Sequence, residues 1–163
     1  MGTPLNMITI YLLQLDKDQI RRVQEATETT KEWGIEPTHG LFGSSEWWDH
    51  IREGTLPVHH LKGIITRVYS TIGWPEFAMR SEDGKEYTWS RYANDPDFDS
   101  LYTVGRPIEI DYVIQRLRAY TAGLKPQSEV VIAVRVGEEK GREGRKGSNL
   151  KGVLPKSLFH EER

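Results

Sequence analysis

The stretch FAMRSEDGKEYTWSR, residues 77–91, decides how the middle of this chain folds, because Asp83-Gly84 marks a tight turn that two strand registers can share. A two-residue loop of Asp83 and Gly84 pairs Arg80 with Tyr87 and Ala78 with Trp89. Arg80, Tyr87, Trp89 and Arg91 then share one face, opposite Phe77 and Met79. With Phe77 and Met79 in the core, that face is an exposed aromatic–arginine platform, of the kind that stacks single-stranded bases at about 1–3 kcal/mol each. A three-residue loop of Glu82, Asp83 and Gly84 instead makes a type I turn with Gly84 left-handed. It pairs Phe77 with Trp89, Met79 with Tyr87 and Arg80 with Glu86, which puts all four large apolar side chains on one face and a charge pair on the other. Burying a large side chain is worth about 1.5–3 kcal/mol, so the three-residue register is expected.

Outward from this hairpin, residues 61–69, 76–81, 86–92, 107–116 and 129–136 have strand composition, with Gly, Pro, Asn and Asp between most of them. Before them, MITIYLLQ (7–14) reads as a strand, and Asp16 with Gln19 opens a helix as a capping-box variant. Its stripe runs through Ile20, Val23, Ala26, Thr27, Thr30 and Trp33, with Gly34 at C′ and Pro37 blocking continuation. A second short helix starts at Ser44 or Ser45, carries Trp47, Trp48 and Ile51, and ends at Gly54. The expected class is α+β: an N-terminal strand–helix unit, then a five-stranded, mainly antiparallel sheet curled towards a small barrel. In strand count and spacing this run resembles an OB-type barrel. Residues 1–139 are expected to form one compact domain (1–43 the lead-in, 44–139 the short helix and β-rich part), and 140–163 a flexible, basic, glycine-rich tail.

The 163 residues contain no Cys, which excludes disulfides, thiolate metal sites and a thiol nucleophile. No signal peptide or bilayer-spanning apolar run is visible, so a cytoplasmic location without membrane contact is expected. The formal charge of -2 averages unlike parts. Residues 1–139 hold 15 basic and 21 acidic side chains, whereas residues 140–156 hold 6 basic and 1 acidic.

Chemical motifs are sparse. Five histidines occur, but His50, His59, His60 and Asp49 lack any recognised ligand spacing, and His59 and His60 would face opposite ways on a strand. Asp95, Asp97 and Asp99 begin like a calcium loop, yet Ser100 and Arg106 stand where Gly and Glu are required. Gly137, Gly141, Gly144 and Gly147 satisfy no phosphate-loop pattern. No nucleophile elbow is present, and Glu109 and Asp111 alternate with Ile108, Ile110 and Tyr112 as the wet face of a strand does. No catalytic residue, cofactor or metal is assigned, and the reading leans away from an enzyme; a small enzyme using carboxylate and His acid–base chemistry is the third reading.

The leading reading is a non-catalytic binding or adaptor domain that meets an unknown protein partner or a second copy of itself. Trp47, Trp48 and Trp74 are its candidate contacts, since tryptophan dominates binding hot spots. Consecutive helical residues point about 100° apart, so one of Trp47 and Trp48 anchors the helix and the other faces a rim or partner. The alternative is a nucleic-acid-binding barrel, with Arg67, Tyr69 and Arg91 on strands and Lys140, Arg142, Arg145 and Lys146 on the tail tracking phosphates.

Overall fold

A computed structural model describes residues 6–70, 75–117 and 127–138. Its strands are β1 (Met7–Leu12), β2 (His59–Tyr69), β3 (Glu76–Ser81), β4 (Glu86–Ser90), β5 (Pro107–Arg116) and β6 (Gln127–Gly137). Two helices, α1 (Lys17–Thr29) and α2 (Ser45–Glu53), precede β2, and a 3-10 helix spans Pro96–Leu101. The strands form one six-stranded antiparallel sheet in the order β1-β6-β5-β2-β3-β4. The α+β class and the antiparallel sheet are as expected. The sixth strand is β1, which joins β6 at an edge; a pairing so distant in sequence has no local signature.

The hairpin adopts the three-residue register. Phe77 lies opposite Trp89, Met79 opposite Tyr87 and Arg80 opposite Glu86. The Ser81 N–H donates to the Lys85 carbonyl at 2.9 Å, and the Gly84 N–H donates to the Ser81 carbonyl at 2.9 Å. Gly84 takes φ of 85°, which a Cβ would strain. The Ser81 hydroxyl and the Lys85 N–H both donate to the Asp83 carboxylate, in that order of influence, and hold its pKa below the ordinary value. Phe77, Ala78 and Met79 are buried, Tyr87 and Trp89 half-buried, and Arg80 and Glu86 exposed.

The chain divides into two compact units. The first, here the hairpin unit, takes its described residues from within Met1–Tyr11, Leu61–Ile110 and Ala133–Arg163. Its core contains Ile10, Ile65, Phe77, Met79, Phe98, Ile108, Ile110, Val134 and Val136. The sheet does not close into a barrel. Beyond β4 the chain bends back to β1, where the Asn94 N–H donates to the Ile10 carbonyl at 3.0 Å and Tyr92 stacks on Tyr11 at 4.9 Å. Pro96, which has no N–H, then turns the chain into the 3-10 helix, capped by Asp95 accepting from the Asp97 N–H at 2.9 Å.

Leu12–His60 and Asp111–Ile132 form the helix unit. Asp16 caps α1 through the Gln19 N–H at 3.2 Å, and Ser44 caps α2 through the Trp47 N–H at 3.3 Å, both as expected. The end of α1 differs: the helix stops at Thr29, four residues before Trp33. Thr27, Thr29 and Thr30 each donate a hydroxyl to the carbonyl four residues back, at 2.6–2.8 Å. Such β-branched hydroxyl residues compete with the helix ladder, and Thr30 is already extended, with φ -130° and ψ 162°.

In the hairpin unit the buried Tyr102 hydroxyl donates to the Tyr92 carbonyl at 2.6 Å. Burial pushes the pKa of this phenol far above its ordinary value of 10.0, because the phenolate would be desolvated. The folded pKa is the higher one, so this contribution to stability is complete below about pH 10 and is lost as pH rises beyond it. Urea unfolding of Tyr102→Phe is expected to show a loss of about 0.5–1.5 kcal/mol at pH 7 and a shallower further loss above pH 10 than the parent. An unchanged alkaline slope would contradict this assignment.

Candidate protein-binding surface

Trp47 is fully buried in the helix unit, packed on Phe42 at 4.7 Å and edge-on to Trp48 at 4.9 Å. Its indole N–H donates to Gln115 Oε1 on β5 at 2.8 Å. It is therefore the anchor of the pair and is removed from the surface, which leaves Trp48, half-buried, at the rim. Trp74 lies outside the described residues.

The strand residues of the nucleic-acid reading divide. The exposed Arg67 guanidinium sits over the Tyr69 ring at 5.6 Å. Arg91 is occupied: its Nε donates to Asp99 at 2.9 Å and its Nη1 to the carbonyls of Tyr69 and Glu76. Its side chain is only 12% exposed, and it joins β4 to the segments around it. Lys140, Arg142, Arg145 and Lys146 fall outside the described residues.

The described histidines and aspartates singled out above contact neighbouring groups. His60 Nδ1 meets Asp111 at 2.7 Å while His59 stacks on Tyr112 at 5.2 Å, so the two imidazoles do face opposite ways. His50 pairs with the Thr55 hydroxyl at 2.6 Å and contacts His39 edge-on at 5.2 Å. Asp95 caps the 3-10 helix and Asp99 holds Arg91. Among the described residues no group of three His, Cys, Asp or Glu side chains is placed to hold a metal ion.

One surface tryptophan escaped the sequence reading, which placed it on the apolar stripe of α1. Because α1 ends early, Trp33 lies in the turn beyond it and is 54% exposed. The turn is tightly held. The Trp33 N–H donates to the Thr30 hydroxyl at 3.0 Å, and the Ile35 N–H donates to the Thr27 hydroxyl at 3.1 Å. Gly34 adopts φ of 99° directly against Thr27, where a Cβ would collide with the threonine side chain and backbone. Ile35 is buried and bridges Leu117, and the Glu36 N–H donates to the Arg116 carbonyl at 2.9 Å.

Acidic side chains surround this indole in sequence. Residues 25–36 carry four glutamates and one lysine. Glu25 is paired with Arg21 at 3.2 Å, whereas Glu28, Glu32 and Glu36 have no ion-pair partner among the described residues. The only local hint was the helix-breaking threonine run just ahead of Trp33.

An exposed indole on a rigid turn is the kind of residue enriched at the centres of protein-binding surfaces. Comparison with known families gives a match of residues 7–137 to the model described as Immunity protein RhsI2. No curated protein matches the chain. Among the described residues no helix is long and apolar enough to cross a membrane.

Two substitutions separate anchor from surface. Trp47→Ala is expected to cost about 3–5 kcal/mol in urea unfolding, as large core truncations do, and Trp48→Ala less than about 1.5 kcal/mol. Gly34→Ala should cost at least about 1–2 kcal/mol, because alanine resists the left-handed conformation even before the clash with Thr27 is counted. Equal losses for the two tryptophans would contradict the assignment.

Proposed function

The chain belongs to the RhsI2 immunity protein family, and from that premise we propose that it neutralises a protein toxin by binding it directly and stoichiometrically. The family match over residues 7–137 carries this reading. Immunity denotes protection from a toxic agent, and a non-catalytic protein–protein complex is the simplest way for this fold to provide it. Three observations support binding over turnover. Among the described residues, the carboxylates and imidazoles that come together are engaged in caps, ion pairs and ring contacts: Asp95 in a cap, Asp99 with Arg91, His60 with Asp111. No metal-binding cluster occurs among them. The exposed Trp33 turn supplies a preorganised contact, which lowers the entropy lost on association. A cytoplasmic place of action, expected in the sequence analysis, belongs to the same reading.

Co-production with a panel of inducible protein toxins is expected to restore growth against one of them. Titration of that purified toxin with the purified chain should then end its activity at one chain per toxin, and the two should co-elute on gel filtration. Complete neutralisation far below one equivalent would mean turnover, and neutralisation without co-elution would mean an indirect route. Either result contradicts direct binding.

A further inference from the structure

Trp33 combines three properties found together nowhere else among the exposed apolar residues described. It is the largest of them, half of its surface is open, and the backbone on both sides of it is tied down. The other open apolar side chains are Leu15, Ile64, Val104 and Ile114, single aliphatic residues of the kind every protein surface carries. An indole held by a rigid turn gives up little conformational freedom on binding and contributes a large contact area.

The charge beside it narrows the occupant. Glu28 and Glu32 are exposed and Glu36 half-buried, and none has an ion-pair partner among the described residues to offset its field. On α1 and α2, Asp18 pairs with Arg21 and Arg22, Glu25 with Arg21, and Asp49 with Arg52. Three glutamates without an ion pair among the described residues thus lie close in sequence to the indole, with Lys31 the one basic residue among them. A cationic surface would gain long-range attraction there, whereas a nucleic acid or another acidic surface would be repelled.

We propose that the Trp33 turn is the principal contact of the chain with its toxin, and that it fits a basic protein surface with an apolar pocket for the indole ringed by Lys or Arg. This rests on the immunity reading and adds to it the contact residues and the chemistry of the partner. Trp33 acts as the buried centre of the interface and sets the dissociation rate. Glu28, Glu32 and Glu36 form the rim and set the association rate.

The probe is the toxin that the chain neutralises in the growth assay, measured by surface-immobilised binding kinetics between 50 and about 500 mM salt, a range over which screening shortens from well above to below 10 Å. Trp33→Ala is expected to weaken binding at least about 30-fold, mainly through faster dissociation, the size of a hot-spot loss. The combined variant Glu28→Gln, Glu32→Gln, Glu36→Gln should associate about tenfold more slowly at low salt and lose most of its salt dependence. Val104→Ser, at an exposed apolar site in the hairpin unit, should bind as the parent does. Urea midpoints for each variant establish that the fold is retained, and the glutamine variant, which keeps Trp33, tests the same face independently. Binding by Trp33→Ala within threefold of the parent would overturn the contact assignment. An unaltered salt dependence in the glutamine variant would overturn the basic partner. Failure of the parent chain to bind any toxin would overturn the immunity reading itself, and this assignment with it.

Discussion

Gly84 can hold a positive φ because it has no Cβ to clash, and this freedom closes the loop of β3 and β4 with three residues instead of two. The side-chain period of a strand is two, so one residue more in the loop moves every β4 side chain to the other face. With this register Tyr87 and Trp89 lie on the side of Phe77 and Met79, and the hairpin unit gains an aromatic core. Phe77 then meets Tyr102 at 4.8 Å, and the Tyr102 hydroxyl reaches the Tyr92 carbonyl. The same choice leaves β3 and β4 with Arg80, Glu86 and Thr88 on the open face and no aromatic platform for bases.

In the helix unit the corresponding constraint is the Thr27 hydroxyl. It donates to the Val23 carbonyl at 2.8 Å and accepts from the Ile35 N–H, so one buried group both ends the helix and seats the turn that follows. Gly34 is required because the backbone passes directly over Thr27. Packing and the hydrogen bonds settle where the indole of Trp33 stands, and its exposure is the feature on which the proposed contact rests.

Much of this was legible in the sequence where the deciding forces are local. The hairpin register followed from the apolar alternation around Asp83-Gly84, and the starts of α1 and α2 from Asp16 and Ser44. One of two adjacent tryptophans had to be an anchor, although burial of Trp47 against Gln115 needed the fold to show which. The rest depended on contacts between distant segments. The place of β1 beside β6 is a long-range pairing, and the engagement of Arg91 with Asp99, Tyr69 and Glu76 joins three segments. Trp33 was misplaced because its 3–4 spacing continues the stripe of α1, while three threonine hydroxyls end the helix first. Exposure is a tertiary property, and spacing alone does not carry it.

In the proposed complex, the rigid, acidic turn of this immunity-family chain presents one indole to a basic toxin. Hydrogen–deuterium exchange of the chain, alone and in complex with the toxin it neutralises, tests that claim most directly. Slowed exchange is expected at residues 30–36 and at the end of β5 to which the Glu36 N–H is bonded, with β3 and β4 unchanged. Slowed exchange confined to β3 and β4, with residues 30–36 as fast as in the free chain, would contradict it.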